Sequence, residues 1–396
     1  MSVARTDVAP PRTPEFAESG LSGGWEPAAL VAATLALAAF GLVNLHSASA
    51  FLAERQGHPD TFYVSRQAVG VAVGLVVLAV TARMPYRWWR GLAWPTVVAV
   101  WAALVFMALP WTHAWAPEIN GARRWLNVGV TLQPSEFAKL AIIVWTAHLA
   151  VKKQEVFRSL SRGLLPFLIV WGALLLPILL QPDLSTAFVV GMLGALTVFV
   201  AGARIGHFAF LAVVLSPLIL AQLGSGFRQD RLMAFRDLSE HTGAAGYQVH
   251  QSLIALGSGG VAGVGFGEGR QKFGFLPEPH NDFIFSMIGE EWGFLGVGSL
   301  LILYFVIVVV GFRIARRAPD LFGQLLAIGA ANLIALQATL HMGVGLGVLP
   351  PTGLSLPLVS YGRSNLLVVM AAVGILVSVA RAAPAQAQAG PGEVRA

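Results

Sequence analysis

Apolar runs of about 18 residues or more recur along the whole chain, separated by short polar stretches. Runs of that length suit helices that cross a bilayer. They predict ten spans, at residues 28–50, 64–81, 88–109, 134–151, 164–180, 184–201, 205–223, 283–312, 321–344 and 359–380. The expected fold class is therefore all-α, a polytopic membrane bundle. One interval breaks the rhythm. Residues 224–282, between spans seven and eight, are polar and glycine-rich and read as one long loop. Residues 1–27 and 383–396 lack any apolar period and read as disordered tails flanking a membrane domain at 28–382.

Charge orients the bundle. Arg83, Arg87 and Arg90 follow span two, Lys152, Lys153, Arg158 and Arg162 follow span four, and Arg204 follows span six. Arg313, Arg316 and Arg317 follow span eight, and Arg381 follows span ten. All share one face, which the positive-inside rule makes cytoplasmic. Both termini then lie in the cytoplasm, and loop 224–282 faces outward. The net charge of +6 is an orientation signal rather than a nucleic-acid footprint. Only 12% of residues are charged, against about 25% in soluble domains. With no cysteine in the chain, disulfides and thiolate metal sites are excluded.

Ionisable groups at membrane depth are expensive and mark candidate chemistry. Asp282, in the run Pro277-Glu278-Pro279-His280-Asn281-Asp282-Phe283, stands where the long loop meets span eight. Its plainer role would be to N-cap that helix. Glu136 and Lys139, three apart at the start of span four, share a helix face and read equally as a structural ion pair. Asp183, after Gln181-Pro182, is placed to cap span six. Arg66 begins span two and Arg363 begins span ten. Glu290 and Glu291 read as ties between span eight and its neighbours. His250 and His280 flank the loop without a metal-ligand constellation. Gly263, Gly265, Gly267 and Gly269 mimic a nucleotide motif, but no βαβ unit surrounds them, so they predict a loop with many conformations. Trp88 and Trp89 read as an interfacial belt.

Several of these motifs, in order, resemble the SEDS family (shape, elongation, division and sporulation), represented by FtsW and RodA. They are Asn120-Gly121-Ala122-Arg123-Arg124-Trp125-Leu126, Gln133-Pro134-Ser135-Glu136 with Lys139, and Gln181-Pro182-Asp183. Gly246-Tyr247-Gln248, the run through Asp282, Gly289-Glu290-Glu291, Leu356-Pro357 and Ser360-Tyr361-Gly362 continue the series. Ser47-Ala48-Ser49, Arg66-Gln67 and Leu349-Pro350-Pro351-Thr352-Gly353 look more like FtsW than RodA. Asn281 stands where the family commonly has Thr, and Arg363-Ser364-Asn365 where it commonly has Gly-Ser-Ser.

The resemblance implies a ten-helix polymerase that joins lipid II into peptidoglycan strands beside a class B penicillin-binding protein and other divisome or elongasome membrane proteins. It places the catalytic carboxylate on Asp282. Such a base takes the proton of the acceptor hydroxyl, for about 10²–10⁴ in rate. The departing pyrophosphate calls for cations, and Arg66, Arg123, Arg124, Lys139 and Arg231 are candidates. Glu136, Asp183, His280 and Ser360, which lie in the matching motifs, complete the substrate-binding set. No cofactor is specified; a divalent cation, Mg2+ or Mn2+, is compatible with pyrophosphate departure. Two rivals stand beside a division polymerase: an elongation polymerase of the RodA type, and a lipid II flippase. A non-catalytic scaffold is a third.

Overall fold

The computed structural model describes residues 24–118, 121–127, 129–154, 157, 159–209, 213 and 244–383. Long helices dominate them: α1 (Trp25–Arg55), α2 (Phe62–Arg83), α3 (Trp89–Ala108), α4 (Pro134–Lys153), α5 (Leu165–Leu180) and α6 (Leu184–Val200). After the break come α7 (Ala244–Gly259), α8 (Ile284–Arg316), α9 (Leu321–Gly345) and α10 (Arg363–Ala382). A two-stranded ribbon, β1 (Leu126–Asn127) with β2 (Thr131–Leu132), precedes α4. Seven helical stretches are long and apolar enough to cross a membrane, so the chain is a multi-pass membrane protein. Of predicted span seven, only 205–209 and 213 fall among the described residues.

The bundle has an inside and an outside made of helices. About 78% of the most apolar window of α10 and 72% of that of α9 is buried, against 22% for the stretch containing α3. α10 lies among α1, α2, α4, α8 and α9. Small residues let it approach. A β-carbon at Gly374 would collide with Thr81 of α2, and one at Gly74 would touch Met370 at 3.0 Å. Lateral cohesion in lipid comes from such packing, since no hydrophobic drive separates helix from acyl chain. The two bundle ends differ. At one, Glu26 takes hydrogen bonds from Arg313 and Arg317, and Arg90 meets Asp320 at 3.1 Å. The other carries Arg55, Gln133, Asp183, Asp282 and Ser360; we call it the loop end.

Two observations correct the picture of 224–282 as one flexible loop. First, residues 244–259 are a helix, whose buried side is small: Gly246, Val249, Ser252, Ala255 and Gly259. Ser252 Oγ lies 2.6 Å from Ser286 Oγ in α8 and donates to the Gly345 carbonyl of α9 at 2.7 Å. Second, the glycines that follow are pinned. α8 breaks at Gly293, which has φ 62° and ψ −156°, a region open essentially to glycine alone. The loop enters that break. Phe294 N donates to Gly260 O and Leu295 N to Val261 O, while Val264 N and Gly265 N donate to the carbonyls of Glu290 and Glu291. A β-carbon at Gly259 or Gly263 would strike the backbone of Gly289 or Glu291. Both glycines permit close approach, and Gly263 also turns at φ 84°.

Candidate functional site

The run that leads into α8 is seated at both ends. Leu276 and Phe283 are buried with Ala48, Met287 and Val344 in a small apolar cluster at the loop end. Between those anchors the backbone turns tightly. Glu278 adopts φ 51°, unusual for a non-glycine residue, and its carbonyl accepts from Asn281 N and Asp282 N. Asp282 is thereby raised beside the helix mouth, partly exposed. The N-cap position of α8 falls on Phe283, one residue beyond it.

A second loop, between α9 and α10, cradles this turn. Ser360 Oγ donates to Asn281 O at 2.7 Å and accepts from Leu356 N at 2.9 Å. Tyr361 N donates to His280 O, and Ser355 Oγ lies 3.3 Å from Asn281 Oδ1. Gln67 of α2 closes the cradle by donating to Ser360 O and accepting from Gly362 N. The β-carbon position of Gly353 lies 3.6 Å from Asp282 Oδ2. The carbonyls of His280 and Asn281, beside Asp282, are thus held by the α9–α10 loop, which Gln67 of α2 braces in turn.

His280 packs between Tyr63 and Tyr361, at ring-centroid distances of 4.8 Å and 5.8 Å. Burial pushes its imidazole down to about 4. It is neutral near pH 7, so the 3.8 Å approach to Glu278 is not an ion pair there. Among the sequence candidates it is an aromatic-packed group rather than a cation.

A second polar cluster lies one turn away, at the base of α4. Pro134 opens this helix at a position where its missing N–H costs nothing. Lys139 Nζ meets Glu136 Oε1 at 2.7 Å with no solvent exposure, and Asn365 Nδ2 donates to Glu136 Oε2 at 2.8 Å. Asp183 caps α6 through Thr186 N and receives Gln133 Nε2 on its other oxygen at 3.4 Å. Gln133 N in turn donates to Ser364 Oγ. The first turn of α10, Ser364 and Asn365, therefore joins this cluster to the cradle of Asp282. The triplet that departs from the family pattern supplies those two residues.

The arginines sit at the rim of the same end. Arg124 donates to the carbonyls of Gln181 and Pro182, at 3.2 and 2.7 Å, and ties the α3–α4 connection to the α5–α6 turn. Arg123 donates to Leu109 O and lies 2.9 Å from His113 Nε2. Neither arginine has a carboxylate partner among the described residues. Arg66 is exposed, its guanidinium 3.8 Å from the centre of the Phe62 ring. Arg231 lies outside the described residues. Glu290 and Glu291 face away from the mouth. Glu290 accepts from the amides of Arg270 and Gln271, and Glu291 from Lys272 Nζ and Ser47 Oγ. Sequence reasoning passed over Gln337 and His341, polar residues four apart inside span nine. Their spacing on one helix face was the available signal.

This geometry can be set beside known proteins. A family model for cell cycle proteins, FtsW/RodA/SpoVE, matches residues 28–384. The chain belongs to the FtsW/RodA/SpoVE family. Among its relatives is a probable peptidoglycan glycosyltransferase FtsW of Trichlorobacter lovleyi, 39% identical over 352 residues, which are 88% of this chain and 92% of that protein. Stage V sporulation protein E of Bacillus subtilis is 39% identical over 355 residues, covering 89% and 96%. Among solved structures, a chain of a peptidoglycan synthase complex superposes with TM-score 0.75 at 30% identity, over 91% of this chain and 98% of that one. RodA of Thermus thermophilus superposes with TM-score 0.67, also at 30% identity, over 92% and 98%. Family membership covers the bundle from α1 to α10, including both clusters at the loop end.

Proposed function

We propose that this protein is a peptidoglycan glycosyltransferase of the division type, which polymerises lipid II into β-1,4 glycan at the outer face of the bacterial cytoplasmic membrane. The observation that carries the reading is Asp282. It is a partly exposed carboxylate whose neighbouring backbone is fixed by Ser360 and Tyr361, themselves braced by Gln67. Relatives named as FtsW glycosyltransferases support the activity. Both termini are cytoplasmic in this reading, supported by the arginines and lysines gathered at the end opposite Asp282. Polar groups concentrated at the loop end favour transfer chemistry there over a path reachable from both leaflets, as a flippase requires.

The step is one displacement. The acceptor sugar hydroxyl attacks the anomeric carbon of the donor while Asp282 takes its proton. The new C–O bond forms as the bond from that carbon to the pyrophosphate breaks, and the undecaprenyl pyrophosphate leaves with the electron pair. Attack opposite an α-linked leaving group gives the β product. Arg123 and Arg124, which have no carboxylate partner among the described residues, are the candidates to face the leaving group, and Arg66 and Arg231 are further candidates. Lys139 is buried against Glu136, so it and Glu136, with Asp183, shape the mouth through α10. No three His, Asp or Glu converge among the described residues. The displacement is written here through Asp282 and the arginines alone. A divalent cation arriving with the pyrophosphate is compatible with this site.

The nascent strand leaves to a class B penicillin-binding partner for crosslinking, within a larger set of membrane proteins. Purified protein with labelled lipid II tests the activity. Asp282→Asn keeps shape but accepts no proton, and should reduce polymer by at least about 10²-fold while the protein stays folded. Wild-type polymer yield from that variant would refute the assignment.

A further inference from the structure

The loop that passes beside Asp282 is itself held from below. His341 lies within α9, one turn short of its end, with 1% of its surface exposed. Its Nδ1 is 2.6 Å from the carbonyl oxygen of Leu354. A carbonyl only accepts, so Nδ1 carries the proton. Leu354 directly follows Gly353, the residue whose β-carbon position is 3.6 Å from Asp282 Oδ2. The chain from 349 to 356 has no regular structure of its own. Gly353 turns there with φ 70°, and Leu358 follows at φ 67°. A segment of that kind takes its position from what grips it. At its far end the grip is Ser360, and in its middle it is His341.

We propose that His341 is a positioning residue for glycosyl transfer: through Leu354 it holds Gly353 against the Asp282 carboxylate and fixes where the base points. This rests on the reading of Asp282 as the base. The ring's other nitrogen, Nε2, is buried and has no hydrogen-bond partner among the described residues, and neither amide atom of Gln337, one turn below on the same face, has one. The contact the fold preserves is the one from Nδ1 to the loop. No side chain other than His341 makes a hydrogen bond to Leu354 O among the described residues.

The two nitrogens can be separated by substitution. Asparagine carries an amide nitrogen at the chain position of Nδ1; glutamine carries one at that of Nε2. His341→Asn should retain kcat for lipid II polymerisation within about threefold. His341→Gln and His341→Leu should lower kcat by about 10–10²-fold with KM within about twofold, the signature of a misplaced group rather than lost binding. Amide exchange across 349–360, measured in the full-length protein without substrate, should rise in the Gln and Leu variants and stay at the wild-type level in the Asn variant. Equal kcat in all four proteins would overturn the proposal. So would equal loss in Asn and Gln, or exchange in the Gln and Leu variants no faster than in wild type. If the Leu variant fails to fold, the Asn and Gln comparison still decides between the two nitrogens. If wild-type protein makes no polymer from lipid II, the functional reading fails by itself, and the exchange measurement still decides whether His341 holds the loop.

Discussion

Replacing Lys139 with methionine strands a carboxylate inside the bundle. Met nearly matches the length of the lysine stem, so the packing against α4's neighbours survives and the charge alone is lost. Glu136 is then left with a single partner, Asn365 Nδ2 at 2.8 Å, in place of an ammonium at 2.7 Å. Lys139 is wholly inaccessible and Glu136 is 6% exposed, so water does not replace the lost partner. Breaking a buried pair in this way costs about 3–5 kcal/mol, whereas replacing both members by neutral groups of similar volume is often nearly neutral. The double variant Glu136→Gln/Lys139→Met should therefore be more stable than Lys139→Met alone, with a coupling of about 2–4 kcal/mol in the cycle. The assay is thermal unfolding in detergent, followed by monodisperse recovery. The single variant should melt on the order of 5–10 °C below wild type, and the double variant should recover most of that. Asn365 and Ser364 share one helical turn that also reaches the Asp282 cradle, so polymer yield should fall with the single variant as well. A single variant that melts with wild type, or a double variant worse than either single, would refute a structural pair at this position.

The other predictions concern the loop and the aromatic pocket. Gly293→Ala places a β-carbon against the backbone of Val261 and Gly263 at a conformation reserved for glycine; amide exchange across 260–273 should rise and polymerisation should fall at least about tenfold, and unchanged exchange would contradict the described pairing. The imidazole of His280 stays neutral down to about 4 in the fold but takes up a proton near 6.5 when unfolded, so the unfolded chain binds more protons between those values. Stability should then fall as pH drops through that window, by up to about 1.4 kcal/mol per unit, and melts of His280→Phe should lose that part of the pH slope. Adding a membrane-anchored penicillin-binding partner should raise the polymerisation rate and increase exchange protection within 246–282; a protein fully active alone, with exchange unchanged by the partner, would exclude control through this segment.

Hydropathy made most of the architecture readable, because a lipid-facing helix must be apolar wherever it touches acyl chains. It failed at α7 for a physical reason. That helix turns Gly246, Ser252, Ala255 and Gly259 inward and leaves Leu253 and Ile254 at its surface, the reverse of the stripe expected in water. Small inward residues look like loop residues when the sequence is scanned for a buried apolar face. Asp282 was legible because a carboxylate at a lipid boundary needs a reason to be there. Its cradle was less so: Ser360 could be named, but its hold on Asn281 depends on two loops 79 residues apart meeting at one end of the bundle. His341 belongs to no motif in the sequence. Only the return of the chain at Leu354 shows what it grips.

α4 has a consequence for how the chain is made. Of its 20 residues, Glu136, Lys139, Lys152 and Lys153 are charged, and it falls short of the apolarity expected of a membrane span. A single Lys or Asp at the centre of an inserting helix costs about 2.5–3.5 kcal/mol at the translocon. Within α4 the Glu136–Lys139 ion pair offsets part of that cost. The remaining partner of Glu136, Asn365 in α10, is synthesised much later. Full enclosure of the pair must therefore wait for the C-terminal end of the bundle. Truncated chains ending before α10 should thus be substrates for membrane quality control.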